Sequence, residues 1–142
     1  MAASESWSLR QGIYQALAGN SQVTGLLGGV NIFDDAPVNA SYPYLTFGQT
    51  TECDWSTGSE NGAEHTITLH VWSGADGKTE TQAIIETIRA ALRVSPIAVD
   101  NQHLVNLRHV FSEARHDKLR ETYHGIVRYK VVTDPTDQNR LI

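Results

Sequence analysis

The tripeptide Gly77-Lys78-Thr79 lies between a predicted strand and a predicted helix, where phosphate-binding loops end. Such a loop neutralises phosphate with backbone amides and a lysine, and it needs a glycine five residues before the Gly-Lys pair. Trp72 occupies that position, and Gly74 is too close to the pair to build the loop. We therefore interpret the tripeptide as a turn followed by a helix cap.

Six histidines raise the question of a metal site. His103 and His109 lie on one predicted strand about 20 Å apart at ~3.3 Å per residue, which is too far for one ion. His65 and His70 should point to opposite faces of their strand, because their separation is odd. The single Cys53 gives neither a zinc-ligand spacing nor an internal disulfide. We predict no metal, and we interpret the histidines as surface or half-buried imidazoles.

The serines and carboxylates give no sign of catalysis. The serines fall in predicted caps and loops, and no Gly-x-Ser-x-Gly sequence places one on a strained turn. Asp34 and Asp35 lie in a loop without a companion residue, where a turn-forming side chain explains Asp34 better than a general base. We therefore predict that the protein is not an enzyme and has no catalytic residues and no cofactor.

Composition narrows the class of protein further. The chain has 142 residues, 40% of them apolar and 19% charged, which suits one folded domain. A net charge of −5 argues against a protein that coats nucleic acid, because that work needs clustered Lys and Arg. The start of the chain lacks a signal-peptide pattern, and no run of ~18 apolar residues predicts a membrane span. We expect assembly in the reducing cytosol.

Two amphipathic helices are predicted. The first begins with a capping box at Ser8 and Gln11 and has an apolar stripe at helical spacing, made of Leu9, Ile13, Ala16 and Leu17. Residues 21–27 can add one or two turns. The second begins with a capping box at Thr79 and Gln82 and ends before Pro96, and its apolar stripe comprises Ile84, Ile85, Ile88, Ala91 and Leu92.

The strands are predicted at residues 30–33, 44–51, 64–72, 104–114 and 123–133. The clearest of them alternates, with Ile67, Leu69 and Val71 on one face. In residues 104–114 one face is expected to hold Val105, Leu107, His109 and Phe111. Residues 116–120 should turn a hairpin. The element order predicts an α+β fold with an antiparallel or mixed β-sheet of about four to five strands, packed on one face by two helices.

The domain prediction follows from these elements. Residues 1–7 are expected to be a flexible N-terminus, residues 8–133 a single α+β domain with a long hairpin loop at 52–63, and residues 134–142 a polar tail. Aromatic residues are enriched at protein interfaces, and the 52–63 loop is polar around one tryptophan. The residues predicted for a protein interface are Tyr42, Tyr44, Glu52, Asp54, Trp55 and Glu60.

Taken together, the segments resemble a family of phage tail-completion (tail terminator) proteins that is also found in prophages and gene transfer agents. The resemblance spans residues 9–134. It is carried by residues 9–17, by residues 30–34 with Pro37, by Tyr42-Pro43-Tyr44-Leu45, by His70-Val71-Trp72-Ser73, and by Gly77 with the helix that follows to Leu92.

The resemblance implies a structural virion protein that forms a homo-oligomeric ring, expected to be a hexamer, on the end of a tail tube. Its implied partners are the tail tube protein and a head-side connector or stopper protein, with DNA passing through the lumen without specific binding and with no membrane. It implies assembly in the host cytoplasm and a place in the tail or neck of the virion. The alternatives left open are another neck protein, such as a head-closure or stopper protein, and a small-ligand binding domain.

Overall fold

The computed structural model describes residues 5–54, 63–74, 77–94 and 102–135. One sheet contains five strands in the order β1-β2-β3-β5-β4. β1 runs parallel to β2, and the other neighbours are antiparallel, which confirms the predicted α+β fold. The elements are α1 (Glu5–Ala18), α2 (Ser21–Leu27), β1 (Ile32–Phe33), β2 (Tyr44–Asp54), β3 (Ala63–Ser73), α3 (Lys78–Val94), β4 (Gln102–Asp117) and β5 (Thr122–Pro135).

Helix α1 begins at Glu5, three residues before the predicted start. Leu9, Ile13 and Leu17 recur at every fourth position and are buried, so one stripe of the helix faces the core. Ser8 is also buried within the helix, and the predicted capping box at that residue is therefore wrong.

Helix α2 is the short extension that the sequence predicted. The Asn20 side chain accepts hydrogen bonds from the backbone N–H groups of Gln22 and Val23, both at 3.0 Å. These bonds satisfy two donors that the first turn of a helix cannot pair internally. Gly28 ends the helix with a φ of 75°, a left-handed conformation that glycine adopts without strain.

Helix α3 buries the whole apolar stripe predicted for it, from Ile84 to Leu92. Its first intrahelical hydrogen bond runs from the N–H of Thr81 to the carbonyl of Gly77 at 2.7 Å. Gly77 therefore holds the cap position, and the predicted cap at Thr79 is wrong because that residue lies inside the first turn. Pro96 lies outside the described residues.

The strands differ from prediction mainly at their ends. β1 contains only two residues, and β2 continues for three residues beyond Thr51 into the segment predicted as loop. In β3, Ile67, Leu69 and Val71 are buried, which confirms the predicted alternation. Asp54 pairs with Ala63, so β2 and β3 are hairpin neighbours. Residues 55–62 and 136–142 lie outside the described part of the chain.

In β4 the predicted alternation fails at Phe111. Leu107 pairs with Val131 and His109 with Tyr129, on the side of β5 that is buried in the core. An irregularity between His109 and Phe111 shifts the register, so Phe111 lies opposite Arg128 on the other face. A β-bulge adds one residue to a strand and reverses every later side chain. Phe111 instead contacts the guanidinium of Arg128, 5.4 Å from the ring centre.

The helices form a single layer on one side of the sheet. α3 contacts β3, β5 and β4, while α1 contacts α3 and β2, and α2 packs against both helices. α3 approaches β5 closely at Gly125, where an added Cβ would lie 2.8 Å from Cγ2 of Thr81. No described helix covers the opposite face of the sheet. Within the described ranges, no helix is long and apolar enough to cross a membrane.

Candidate protein interface

A row of stacked aromatic rings crosses the face of the sheet that the described helices leave open. Tyr44 of β2 pairs with Trp72 of β3, and Trp72 pairs with His124 of β5, so strand register places their side chains next to one another. The ring centres of Tyr44 and Trp72 are 6.4 Å apart, and those of Trp72 and His124 are 4.1 Å apart. Tyr42 extends the row with a centroid distance of 5.7 Å to Tyr44. We call these four residues the aromatic row.

Contacts with neighbouring side chains hold the aromatic row in place. The indole N–H of Trp72 donates a hydrogen bond to Oγ1 of Thr46 at 2.9 Å, which fixes the ring on the sheet. Phe33 packs edge-on against Tyr44 at a centroid distance of 6.0 Å. Burial, with a smaller contribution from Tyr42, raises the pKa of Tyr44, so its hydroxyl is neutral at physiological pH. The row therefore presents rigid aromatic faces.

His70 forms a pair with His124 of the aromatic row. Nδ1 of His70 lies 2.7 Å from Nε2 of His124, and the two rings are stacked. Burial, followed by the proximity of His70 and Arg115, lowers the pKa of His124 to about 4. Burial and the Arg128 guanidinium lower the pKa of His70. Both imidazoles are consequently neutral near pH 7, and one can donate its N–H to the other.

One end of the molecule brings two chain segments together beside this row. A cavity of about 340 Å³ there is lined by residues that include Tyr42, Asp34, Asp35, Arg120 and Thr122. We call residues 34–43 and 118–121 together the loop end. Its tips carry two apolar side chains that are almost fully exposed, Val38 and Leu119. Exposed apolar side chains of this kind, near aromatic rings, are typical of protein-binding surfaces.

The structure separates the residues that the sequence grouped as an interface. Tyr42 of the loop end stacks on Tyr44 at the start of β2. Glu52 lies eight residues beyond Tyr44 along β2, about 26 Å away at ~3.3 Å per residue. The side chains of Asp54, Trp55 and Glu60 lie outside what the structure describes. The described part of the set therefore belongs to two opposite ends of the sheet, and its role as an interface stays a prediction.

Three residues of the site escaped sequence reasoning. Trp72, His70 and His124 are central to the aromatic surface, yet none was predicted to be an interface residue. The alternation in β3 did place Trp72 and His70 on the face away from the core, and that was the available signal. Their proximity to His124 depends on which strand pairs with β3, and the sequence does not specify that pairing.

His65 departs from the expectation of surface or half-buried imidazoles. Its side chain is completely buried on the helix-covered face, with Nε2 3.0 Å from Oγ1 of Thr133. Its Nδ1 lies 3.9 Å from a carboxylate oxygen of Glu52. His65 and His70 occupy opposite faces of β3, as their odd spacing predicted. Among the described residues, no three potential ligands lie close enough together to hold a metal ion.

A second cavity, of about 500 Å³, lies between α1 and β1. Arg10 and Asp34 form an ion pair there, and the Arg10 guanidinium also lies 5.4 Å from the ring centre of Phe47. The two opposite charges thus pair with each other and do not both point into the cavity, where a ligand would bind. This arrangement suits packing at the sheet edge better than recognition of a small polar ligand.

Comparison with known proteins identifies relatives over almost the whole fold. A family model described as tail completion protein gp17 matches residues 11–134. The tail completion protein gp17 of Bacillus phage SPP1 is 28% identical over 89 residues, which are 63% of this chain and 66% of that protein. The match thus spans just under two thirds of the length of this relative.

Two solved structures share the fold. A chain from the virion of a native gene transfer agent particle has a TM-score of 0.83 at 19% identity, covering 94% of this chain and 99% of that one. The structure of bacteriophage SPP1 gp17 protein has a TM-score of 0.60 at 20% identity, covering 94% of this chain and 92% of that one. At such identities the likeness concerns the arrangement of helices and strands, including the sheet that carries the aromatic row.

Proposed function

Because this chain belongs to the tail completion protein gp17 family, we propose that it forms a ring on the end of a phage or phage-like tail tube. There it terminates tail growth and provides the surface to which the head-side connector joins. The observation that carries this proposal is the family match over residues 11–134, which includes every described strand except the last residue of β5. The protein is a structural tail component of the virion and not an enzyme.

The architecture suits a subunit of a ring. The sheet has two different edges, a short β1 beside β2 on one side and the long β4 on the other. Two different edges allow a head-to-tail contact, in which each copy uses one surface to bind a different surface of the next. Such contacts close into a ring when the rotation per subunit divides a full turn. The family resemblance implies six subunits.

The loop end is the surface that we assign to a partner in the particle, either the tail tube protein or the connector. Val38 and Leu119 are almost fully exposed there, and Tyr42 of the same surface is half exposed. Covering these side chains would remove apolar area from water, which contributes ~25 cal/mol per Å². Neither tip belongs to the core, so a partner can bind them without rearranging the fold.

DNA would pass through the opening of the ring without specific binding. The net charge of −5 supports this role, because an acidic protein repels the phosphate backbone. On the open sheet face two of the described cations are paired with carboxylates: Lys130 lies 3.8 Å from Glu64, and Arg115 lies 2.7 Å from Glu113. We further propose that assembly takes place in the host cytoplasm, before the tail joins the head.

Tail-tube growth provides the test. Tube protein should be polymerised with and without this protein, and tube lengths and ends should be imaged by negative-stain microscopy. We expect shorter tubes, each with a ring of extra density at one end. The variant Val38→Ser with Leu119→Ser should keep the wild-type melting temperature, because both side chains are exposed, and should lose binding to its partner.

Two results would count against the proposal. Unchanged tube lengths with bare ends would exclude tail termination. Binding to purified portal-side complexes, with no binding to tube ends, would identify the protein as a head-closure or stopper component instead.

A further inference from the structure

The charges of this chain are divided along its length. Residues 11–77 contain seven Asp and Glu and no Lys or Arg, whereas residues 78–142 contain ten of the eleven Lys and Arg. The cation-free stretch contains α2, β1, β2 and β3, while the described cations of the second stretch lie on α3, β4, β5 and the turn between these two strands. β1 with β2 and β4 are at opposite sides of the sheet. The strands of the first edge carry acidic side chains and no Lys or Arg, and the nearby Arg10 of α1 is paired with Asp34, whereas the other edge carries cations.

The cationic edge contains a small cavity on the helix-covered side, between α3 and β4. Its volume is about 120 Å³, and Arg89, Leu92, Arg93, Leu107, His109 and Tyr129 line it. Nε of Arg89 and Nε2 of His109 are buried and have no hydrogen-bond partner within the described ranges. Buried polar atoms normally have such a partner, so these two atoms are available to a polar group that enters the cavity.

On the acidic edge, Glu52 lies at the same position along the strand direction as this cavity. Strand register aligns Glu52 with His65, His65 with Val131, and Val131 with Leu107. These residues form one line across four strands, and adjacent strands are ~4.8 Å apart. His65 and Val131 are buried beneath the helices, so the whole line faces the helix-covered side. Glu52 and the α3–β4 cavity therefore lie at the same position along the strands and on the same side of the sheet, but at its two opposite edges.

We propose that the α3–β4 cavity of one copy receives the acidic β2 edge of the next copy, with Glu52 facing Arg93. The inference rests on the proposed ring. When the ring axis runs along the strands, rotation about it carries each residue to the same position along the axis in the next copy and keeps it on the same side of the sheet. Neighbouring copies would then bring these two edges together. The incoming carboxylate would accept charge-assisted hydrogen bonds at the cavity. Val94, now 75% exposed beside Arg93, would be covered by the same contact.

Charge reversal tests this contact in the full-length protein. Self-association should be measured by sedimentation or light scattering, alone and on tail tubes. Arg93→Glu and Glu52→Lys should each weaken association about tenfold or more, because two like charges would then meet. Lys78→Glu is the matched control, since it makes the same charge change at the other end of α3, ~22 Å from Arg93 at 1.5 Å per residue.

Two restoration experiments make the test specific. An equimolar mixture of Arg93→Glu and Glu52→Lys should assemble, because every contact in an alternating ring would again join opposite charges. The double variant should assemble alone for the same reason. Melting curves verify that each variant folds, and Glu52→Gln replaces Glu52→Lys if that variant does not.

The outcomes separate this inference from the proposed function. Assembly of Arg93→Glu at the level of Lys78→Glu, or failure of both restorations, would overturn the inference and leave the ring proposal intact. Absence of any wild-type assembly, alone and on tail tubes, would overturn the ring itself and this contact with it.

Discussion

Nδ1 of His70 and Nε2 of His124 lie 2.7 Å apart across β3 and β5, so one neutral imidazole donates to the other. Burial opposes a charge on His124, and protonation of both rings would place two donors against each other. The pKa of His124, lowered to about 4 chiefly by burial, compares with about 6.5 for histidine in an unfolded chain. Between these pH values the unfolded state binds more protons, so acidification favours unfolding.

We therefore expect thermal stability to fall as the pH drops from about 6.5 to about 4, with no further loss from this group at lower pH. Melting temperatures measured at intervals across this range provide the check. His124→Gln should flatten the dependence. The matched control is His116→Gln on the adjacent strand, which leaves the His70–His124 pair in place. A His124→Gln protein with the slope of the wild type would show that this pair does not cause the acid sensitivity.

Two glycines should respond in opposite ways to substitution by alanine. A Cβ at Gly125 would lie 2.8 Å from Cγ2 of Thr81 and 3.1 Å from Cδ1 of Ile85, so α3 would have to move away from the sheet. Overpacking of this kind costs about 1–3 kcal/mol in the free energy of unfolding. A Cβ at Gly25 meets no atom within 4 Å, and alanine there should stabilise α2 by ~0.4–1 kcal/mol. Denaturant unfolding of both variants measures the difference. Equal destabilisation of the two proteins would contradict the close packing at Gly125.

The elements that sequence reasoning located well are those in which local pattern and tertiary burial agree. The stripe from Ile84 to Leu92 repeats at helical spacing and is buried throughout. The alternation of Ile67, Leu69 and Val71 matches a strand in the middle of the sheet. In both elements, one face meets the core and the other does not, so hydrophobic periodicity alone specifies structure and orientation.

The errors arose where local pattern leaves alternatives. Ser8 has a capping side chain and the correct spacing to Gln11, but the helix continues upstream and buries it. Phe111 follows the alternation of its strand until a bulge reverses it, and a bulge is decided by pairing with β5. The aromatic row depends on the same long-range pairing. Residues near in space but distant in sequence, such as Trp72 and His124, could not be brought together by periodicity.

The contribution of the Asn20 cap to stability should be measurable by one substitution that leaves the sheet unchanged. Asn20 accepts two backbone hydrogen bonds at 3.0 Å, and alanine would leave both donors without that partner. Loss of such a cap costs about 1 kcal/mol in the free energy of unfolding. Asn39→Ala serves as control, because Asn39 is exposed in the loop between β1 and β2. Chemical denaturation should show a lower free energy of unfolding for Asn20→Ala and no change for Asn39→Ala. Equal free energies of unfolding for the two variants would mean that this cap does not stabilise the protein.

Ile88→Asp tests whether the apolar stripe of α3 packs in the core. Ile88 is completely buried at the centre of the apolar stripe of α3. A carboxylate at this position would lose its hydration without gaining a charged partner, at a cost of several kcal/mol. Because a domain of this size is stable by only about 5–15 kcal/mol, we expect a greatly weakened or absent cooperative melt. Circular dichroism and calorimetry would detect it.

The matched control is Ala83→Asp, which introduces the same side chain at an exposed position of α3, five residues away. Its expected loss is below about 0.7 kcal/mol, the difference in helix propensity between alanine and aspartate. A large stability difference between the two variants would confirm that the Ile88 face packs on the sheet. A cooperative melt of Ile88→Asp close to that of Ala83→Asp would instead mean that α3 does not bury this face. The charge contact proposed at Arg93 would then lose its structural basis, because it depends on how α3 sits against β4.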